Sequence, residues 1–413
     1  MQAEIISIGD ELLIGQVVNT NASWMAQKLN EVGVEVRQIT NISDTPGEIL
    51  RALAEAETRC QVILMTGGLG PTRDDITKEV LCRFFDTRLV MDQQVLEGIQ
   101  SFFDRKGLSM TDLNRDQALV PESCTVVPNP LGTAPGLAFF KEDKLFVAMP
   151  GVPYEMKHIM ENFVLPELQG KNAGHFILHK TILTQGIGES FLADLIEPWV
   201  QSLPPQIKLA YLPSPGIVRL RLSMRGSHKE AMQETLDHHI EALKRRIPEY
   251  FWGFDDDKLE KVVGRMLLQK SAWLATAESC TGGFIAHRIT SVPGSSAYFK
   301  GSVVAYDNSI KQQLLDVPEH VLAQYGAVSA ETVEHMALGV AKQLQTDYAI
   351  AVSGIAGPQG GTPEKPVGTV WIAVAGPRGV ISRRFLFGDE RERNILRAST
   401  AALAMLHKIL KES

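Results

Sequence analysis

Two stretches of this chain combine side chains that can do chemistry with backbone that lets a ligand come close. The first is Thr66-Gly67-Gly68-Leu69-Gly70-Pro71-Thr72-Arg73-Asp74-Asp75. Glycines after an apolar run free the backbone to approach a ligand, and a following helix offers its unpaired N–H groups to phosphate oxygens. Asp74 and Asp75 would repel a bare phosphate, so carboxylates beside such a cradle imply a hard divalent cation between them. Asp10 and Asp44 each follow a predicted strand and would converge on the same edge. Spacing alone is equally consistent with Asp74 or Asp75 capping a helix. A second glycine-rich stretch, Asn129-Pro130-Leu131-Gly132-Thr133-Ala134-Pro135-Gly136, reads either as a ligand loop or as a structural turn.

The second chemical stretch is Ala277-Glu278-Ser279-Cys280-Thr281-Gly282-Gly283. A serine at a strand-to-helix turn has its hydroxyl near backbone N–H donors that can stabilise an oxyanion. Such a serine needs a base. No Gly-x-Ser-x-Gly elbow surrounds it and the ten histidines show no spacing that marks a partner, so a Ser-His-Asp triad has no support. A lysine whose pKa is lowered by burial would serve instead. Lys311, in Tyr306-Asp307-Asn308-Ser309-Ile310-Lys311, is the candidate, although spacing by itself does not select it. Cys280 is the alternative nucleophile. Its thiol is intrinsically stronger, but a buried cysteine in this turn reads first as packing, which ranks Ser279 ahead.

The elements that must position these residues fall into three blocks, 1–168, 175–250 and 255–413. In the first, Glu4–Gly9, Val34–Ile39 and Val62–Met65 read as strands alternating with helices over Asn21–Val32 and Pro46–Glu57. That alternation predicts a doubly wound parallel sheet with helices on both faces and ligands at the C-terminal strand ends. The middle block predicts a small α+β unit: strand His175–Thr184, helix Gly188–Val200, a strand pair Lys208–Leu212 and Val218–Met224 around Pro213-Ser214-Pro215-Gly216, and a helix His228–Arg246. It reads as a spacer or dimerisation domain, with Lys244-Arg245-Arg246 as a solvated helix end. In the third block, Asp255-Asp256-Asp257 offers acidic capping to a helix with apolar residues at helical spacing. Strands Trp273–Ala277, Ser302–Tyr306, Tyr348–Val352 and Gly368–Ala375, with helices Ala330–Leu344 and Glu392–Leu410, predict an α/β/α sandwich.

Composition narrows the function classes. The chain has 413 residues, 44% of them hydrophobic and 22% charged, the balance of a folded protein of two to three domains. A formal charge of −7 gives no general basic footprint, which argues against nucleic acid as the main partner. No apolar run reaches the roughly 18 residues of a membrane span, and Met1-Gln2-Ala3-Glu4 lacks the basic start of a secretory signal, so a cytoplasmic protein is expected. Cys60, Cys82, Cys124 and Cys280 show no paired spacing, hence neither a zinc site nor a disulfide framework.

Gly9-Asp10-Glu11-Leu12-Leu13-Ile14-Gly15, Asn19-Thr20-Asn21, the Thr66–Asp75 motif and Met149-Pro150-Gly151-Val152-Pro153 together resemble the amino-terminal domain of the CinA (competence/damage-inducible protein A) family, which is similar to molybdopterin-binding domains. The resemblance implies metal-dependent hydrolysis of ADP-ribose to AMP and ribose 5-phosphate. A divalent ion of the magnesium, manganese or cobalt class would sit at Asp10, Asp44, Asp74 and Asp75, and substrate at Gly67, Gly68, Gly70, Thr72 and Asn19. Ala277–Gly283, Gly301-Ser302-Val303-Val304-Ala305-Tyr306, Gly326-Ala327-Val328-Ser329, Ser353-Gly354-Ile355-Ala356-Gly357-Pro358 and Lys365-Pro366-Val367-Gly368-Thr369-Val370, in that order, resemble the carboxy-terminal CinA domain. That domain implies nicotinamide-mononucleotide deamidation to nicotinic acid mononucleotide and ammonia, with no cofactor. In this reading Ser279 attacks, Lys311 is the base and Tyr306 relays or orients. Thr281, Gly282 and Gly283 hold the oxyanion, Gly354 and Gly357 admit the nucleotide, and Arg391 or Arg393 pairs its phosphate. Gly388-Asp389-Glu390-Arg391 carries one residue more than the family's Gly-Asp-Arg, which leaves both arginines open. The resemblance also implies a homodimer. The rival readings are a non-catalytic nucleotide-binding regulator linked to competence or DNA damage, and a molybdopterin-handling enzyme.

Overall fold

The computed structural model describes every residue except Arg73, Ala173, Pro215 and Ser413, so one residue each of the glycine motif and of the 213–216 turn lies outside the described residues. The chain forms two compact units. One holds Met1–Leu178 with Met224–Glu234, the other His179–Ser223 with Thr235–Ser413.

The first unit runs β1 (Gln2–Ile8), α1 (Asp10–Leu13), α2 (Thr20–Glu31), β2 (Glu35–Ile42), α3 (Pro46–Arg59), β3 (Val62–Thr66), α4 (Thr77–Phe84), β4 (Leu89–Met91), α5 (Gln93–Lys106), α6 (Asp112–Arg115), β5 (Leu119–Pro121), β6 (Thr125–Val127), β7 (Gly136–Lys141), β8 (Lys144–Met149), α7 (Pro153–Ile159) and α8 (Leu165–Lys171). Its main sheet has the order β2-β1-β3-β8-β7-β6. Strands β2, β1, β3 and β8 are parallel. The sheet is mixed rather than wholly parallel, because β7 runs antiparallel to β8 and β6 antiparallel to β7. Only Glu142 and Asp143 separate β7 from β8, too few for the crossover that a parallel pair needs.

Successive strand residues point to opposite faces, and the apolar set divides accordingly. Ile5, Leu64 and Val147 join α2 and α7 in one core. Ile6, Ile63 and Phe146 join α3 and α4 in the other. Each strand is therefore apolar on both sides, which fixes the parallel centre of the sheet as the buried layer.

Next along the chain comes a sheet of order β10-β11-β9-β12, built from β9 (Phe176–Gln185), β10 (Ile207–Ser214), β11 (Ile217–Gly226) and β12 (Phe251–Phe254) with α9 (Glu189–Val200) and α10 (Lys229–Arg246). The short β12, Phe-Trp-Gly-Phe, has no alternation by which to recognise it. It pairs antiparallel with β9.

Then follow α11 (Leu259–Gln269), β13 (Leu274–Glu278), α12 (Phe284–Thr290), β14 (Phe299–Val304), α13 (Asn308–Leu315), α14 (Glu319–Tyr325), α15 (Ala330–Leu344), β15 (Tyr348–Gly354), β16 (Thr369–Gly376), β17 (Gly379–Leu386) and α16 (Arg391–Glu412). The sheet order is β14-β13-β15-β16-β17, with β14, β13 and β15 parallel and β16 and β17 antiparallel. Leu274, Ile350 and Val352 face α11, α12 and α16. Ala275, Ala277, Ala349 and Ala351 face α13, α14 and α15, and their small side chains let that helical layer sit close.

The aspartate run does not cap α11, whose N-cap is Lys258 without a side-chain bond. Asp255 instead accepts the Thr181 N–H and pairs with Lys180 at 2.7 Å, while Asp257 accepts the Phe254 N–H and pairs with Arg265 at 2.9 Å. The charges tie chain segments together instead of answering a helix dipole.

One buried charge joins β13 to α12. Glu278 is 0% exposed. Its carboxylate accepts the N–H groups of Gly283 (3.1 Å), Ile285 (3.0 Å) and Ala286 (2.8 Å), the unpaired donors of the helix start. Charge-assisted bonds of this kind are about twice as strong as neutral ones, and removing the acceptor strands buried donors. Glu278→Ala is therefore expected to destabilise the second unit by about 3 kcal/mol or more, read as an earlier denaturant midpoint of the full chain. A shift below about 1 kcal/mol would show that the turn does not need the carboxylate.

Candidate active sites

In the first unit a cavity of about 390 Å³ opens at the C-terminal ends of β1, β3 and β8, where such sheets place ligands. Gly67, Gly68 and Gly70 line it, with Asp44, Asp74, Asp75 and Glu11. The glycines are required by close approach of the chain to itself. Gly67 has φ +111°, and a Cβ there would lie 2.2 Å from the Ile8 carbonyl oxygen. At Gly68 a Cβ would meet the Thr77 hydroxyl at 2.2 Å.

The carboxylates differ in what they do. Asp75 accepts both the N–H and the hydroxyl of Thr72 and braces the loop. Neither it nor Asp74 caps α4, whose N-cap is Ile76. Burial pushes the Asp44 carboxyl above its usual range; the Asp10 N–H opposes this, and the negative charges of Asp10, Glu11 and Asp74 add to it. Among the described residues, no three His, Cys, Asp or Glu side chains gather closely enough to hold an ion by themselves. The donor set is nonetheless all oxygen and mutually repulsive. That suits a hard cation arriving with phosphate oxygens of its own, which needs only one or two protein carboxylates.

Asn19, Thr72 and Asp10 are not among the lining residues. Asn19 caps α2 and donates to Ser7 Oγ (2.8 Å) and Asn41 Oδ1 (2.7 Å), tying together the ends of β1 and β2. Two lining residues were not anticipated from sequence. Glu155, in the first turn of α7, is 7% exposed and accepts from Asn129 Nδ2 at 2.6 Å. Gln117 is buried, with neither amide atom partnered among the described residues. Its carbonyl takes a bond from the buried Lys78, whose pKa falls to about 8 through burial.

In the second unit Ser279 directly follows β13, pinned by its N–H to the Val352 carbonyl at 2.9 Å. The residue is buried, and its hydroxyl takes no partner among the described residues. Lys311, on α13, is 1% exposed. Its Nζ donates to the carbonyls of Ala305 (2.8 Å) and Tyr306 (3.1 Å), and the Ala305 N–H donates to the Glu278 carbonyl at 2.8 Å. The lysine nitrogen is thereby held where β14 ends, beside the end of β13. Burial lowers its pKa and the charge of Asp307 opposes the shift.

Tyr306 is 62% exposed. Its hydroxyl accepts from Arg391 Nη2 at 3.2 Å, and Arg391 Nη1 donates to the Gly357 carbonyl at 2.9 Å. Arg393 turns away and pairs with Glu390 at 2.9 Å. Of the two arginines, Arg391 is therefore the one gathered with Tyr306 and the Gly357 loop. Asn394, buried on α16, donates to the carbonyls of Ala356 (3.0 Å) and Gly388 (2.8 Å) and accepts the Gly388 N–H (3.0 Å), which locks both loops to that helix.

The expected oxyanion donors are partly spoken for. The Gly282 N–H bonds the Ser279 carbonyl at 3.1 Å, and that of Gly283 bonds Glu278. The buried Thr281 hydroxyl finds no partner among the described residues. Gly354 packs against β16, where a Cβ would meet Val370 Cγ2 at 2.7 Å, and Gly357 has φ +92° with the Asp389 carbonyl 3.0 Å from where its Cβ would be. Cys280 faces the apolar core with Ile285 and Val352, and burial pushes its thiol up to about 12.

Three family models match the chain: a probable molybdopterin binding domain over residues 4–170, a damage-inducible protein CinA KH domain over 179–253, and the CinA C-terminal domain over 256–410. A CinA-like protein of Cytophaga hutchinsonii is 45% identical over 410 residues, covering 99% of this chain and 98% of that protein. A CinA-like protein of Flavobacterium psychrophilum is 46% identical over 417 residues, covering 100% and 99%. The crystal structure of a competence/damage inducible protein from Agrobacterium tumefaciens is 37% identical, covers 38% of this chain and 97% of its own, and has a TM-score of 0.36. With relatives of this identity over its whole length, the chain belongs to the CinA family, its α/β fold pairing a molybdopterin-binding-like amino-terminal domain with a CinA carboxy-terminal domain.

Proposed function

We propose that the protein is a pyridine-nucleotide salvage enzyme that hydrolyses nicotinamide mononucleotide to nicotinic acid mononucleotide and ammonia in its carboxy-terminal domain. The observation that carries this reading is the buried Lys311 nitrogen, held by two backbone carbonyls beside the turn that carries Ser279. A lysine so desolvated reaches its neutral form more readily than a free one and can act as a base. Lys311 Nζ takes the Ser279 proton as Oγ attacks the carboxamide carbon. The same proton is returned to the nitrogen that departs as ammonia, and water then cleaves the acyl-serine ester. The Thr281 hydroxyl suits the developing oxyanion. Arg391 supplies a guanidinium for the nucleotide phosphate and orients Tyr306. No metal takes part.

Ammonia release from nicotinamide mononucleotide tests this directly. Ser279→Ala and Lys311→Ala are each expected to lose at least about 100-fold in kcat, whereas Cys280→Ala keeps most of its activity. A dead Cys280→Ala beside an active Ser279→Ala would reverse the nucleophile, and an inactive wild type would end the amidase reading. Because the base must be neutral and burial lowers the Lys311 pKa, kcat/KM should rise with pH and level off below the range of a free lysine. A rise that persists to the range of a free lysine would exclude Lys311 as the base.

For the amino-terminal domain the proposal is hydrolysis of ADP-ribose to AMP and ribose 5-phosphate. The glycine-lined cavity suits the diphosphate, and Asp44 and Asp74 are lining carboxylates placed to meet a divalent ion of the magnesium, manganese or cobalt class. Such an ion, when bound, neutralises phosphate charge and orients the group. Cleavage is expected only with added divalent metal, falling at least about tenfold in Asp44→Asn or Asp74→Asn. Metal-independent cleavage, or undiminished rates in the double variant, would overturn the carboxylate account.

A further inference from the structure

Hydrolysis of a diphosphate bridge needs a proton acceptor for the attacking water, and the aspartates near the glycine loop are poorly placed to supply one. Asp75 holds the Thr72 N–H and hydroxyl on its Oδ2 and so braces the glycine loop itself. Asp44 and Asp74 belong to the carboxylate edge that answers the cation. Glu155 also lines the cavity, and it reaches it from a separate element, α7. Its side chain is held on one oxygen: Oε2 accepts from Asn129 Nδ2 at 2.6 Å, and Oε1 takes no partner among the described residues. The Asn129–Pro135 loop lies directly on it, since a Cβ on Gly132 would stand 1.9 Å from Oε2. The carboxylate is thus buried, fixed by one bond, and has a second oxygen that no described residue bonds, in a cavity suited to phosphate.

We propose that Glu155 is the general base of the amino-terminal site, taking a proton from the water that attacks phosphorus. The inference rests on the pyrophosphatase reading. In the step, the water oxygen forms a bond to phosphorus and the bond from phosphorus to the bridging oxygen breaks. The bridging oxygen leaves on the other phosphate with its electron pair, and the water proton passes to Glu155 Oε1 and on to solvent. Two groups from the packed elements face this carboxyl: Asn129 of the loop, whose amide favours the charged form, and Lys106 of α5, whose charge does the same. Burial outweighs both and raises the carboxyl above its ordinary range, toward the pH at which a base works best.

The competing role is a clamp, with Glu155 merely anchoring the loop through Asn129. Glu155→Gln separates the two, because glutamine Oε1 still accepts from Asn129 but takes no proton. With ADP-ribose and magnesium, Glu155→Gln should lower kcat by about 100-fold or more, leave KM and the thermal midpoint near those of wild type, and change the acid limb of kcat/KM, leaving only the part that the metal-binding carboxylates cause. In Glu155→Ala, added formate should restore part of the rate. A Glu155→Gln enzyme with kcat within about threefold of wild type and an unchanged acid limb would overturn the inference while leaving the pyrophosphatase reading intact. A wild type unable to cleave ADP-ribose with metal would overturn both.

Discussion

The three bonds between the Glu278 carboxylate and the first amides of α12 are the constraint on which the carboxy-terminal site depends. A helix start carries partial positive charge and unpaired donors, and a ligand anion is its usual partner. Here the chain supplies its own anion from the last residue of the preceding strand. The turn from Ser279 to Gly283 is then short, tied at both ends and unable to swing, and Ser279 is displayed from it at the sheet edge. The backbone extends the same lock sideways. The Glu278 carbonyl accepts from Ala305, the Ala305 carbonyl accepts from Lys311, and the Ser279 amide donates to Val352. The Ser279 turn and the lysine are thus held by one run of hydrogen bonds across three neighbouring strands.

Filling the helix start internally has a chemical consequence. With those amides taken, the nucleotide of the proposed reaction would find its cation elsewhere, and Arg391 is the guanidinium held beside Tyr306 and the Gly357 loop. The amino-terminal domain solves the opposite problem. Its cavity gathers Glu11, Asp44, Asp74, Asp75 and Glu155 with no cationic side chain among the described residues of the lining, so on the proposed reading an anionic ligand comes with a counter-ion. The formal charge of −7 says little about such a protein. What matters for the proposed reactions is the local charge: a guanidinium at one site and a set of carboxylates at the other.

Much of this was legible in the sequence because it is written in local patterns. Short apolar runs gave β1, β3 and β13 to within one or two residues at each end, and glycine spacing located both loops. What escaped was set by partners far along the chain. The antiparallel edge of the first sheet follows from a two-residue connection between β7 and β8 whose flanks read equally well as any other strands. β12 exists because β9 offers it an edge, not because Phe-Trp-Gly-Phe announces a strand. The aspartates at 255–257 look like a helix cap, yet their partners are Lys180, Thr181 and Arg265, and a distant lysine wins over a near helix end. Glu155 sits just beyond a motif that was recognised, but its burial depends on Asn129 and Gly132 folding over it, and no spacing rule connects those positions.

The neighbouring Ser279 and Cys280 show why residue chemistry and residue position have to be weighed together. By intrinsic nucleophilicity the thiol should prevail. It needs the thiolate, however, and Cys280 lies among Ile285, Val352 and other apolar side chains, where burial holds the proton on sulfur to about pH 12. A serine makes no such demand, since it attacks as it gives its proton to a base and never has to exist as a free anion. Burial, which disables the thiol, also lowers the Lys311 pKa and brings a neutral amine within easier reach. On the proposed reading, burial at the end of β13 therefore disfavours cysteine as the nucleophile and favours a serine–lysine pair.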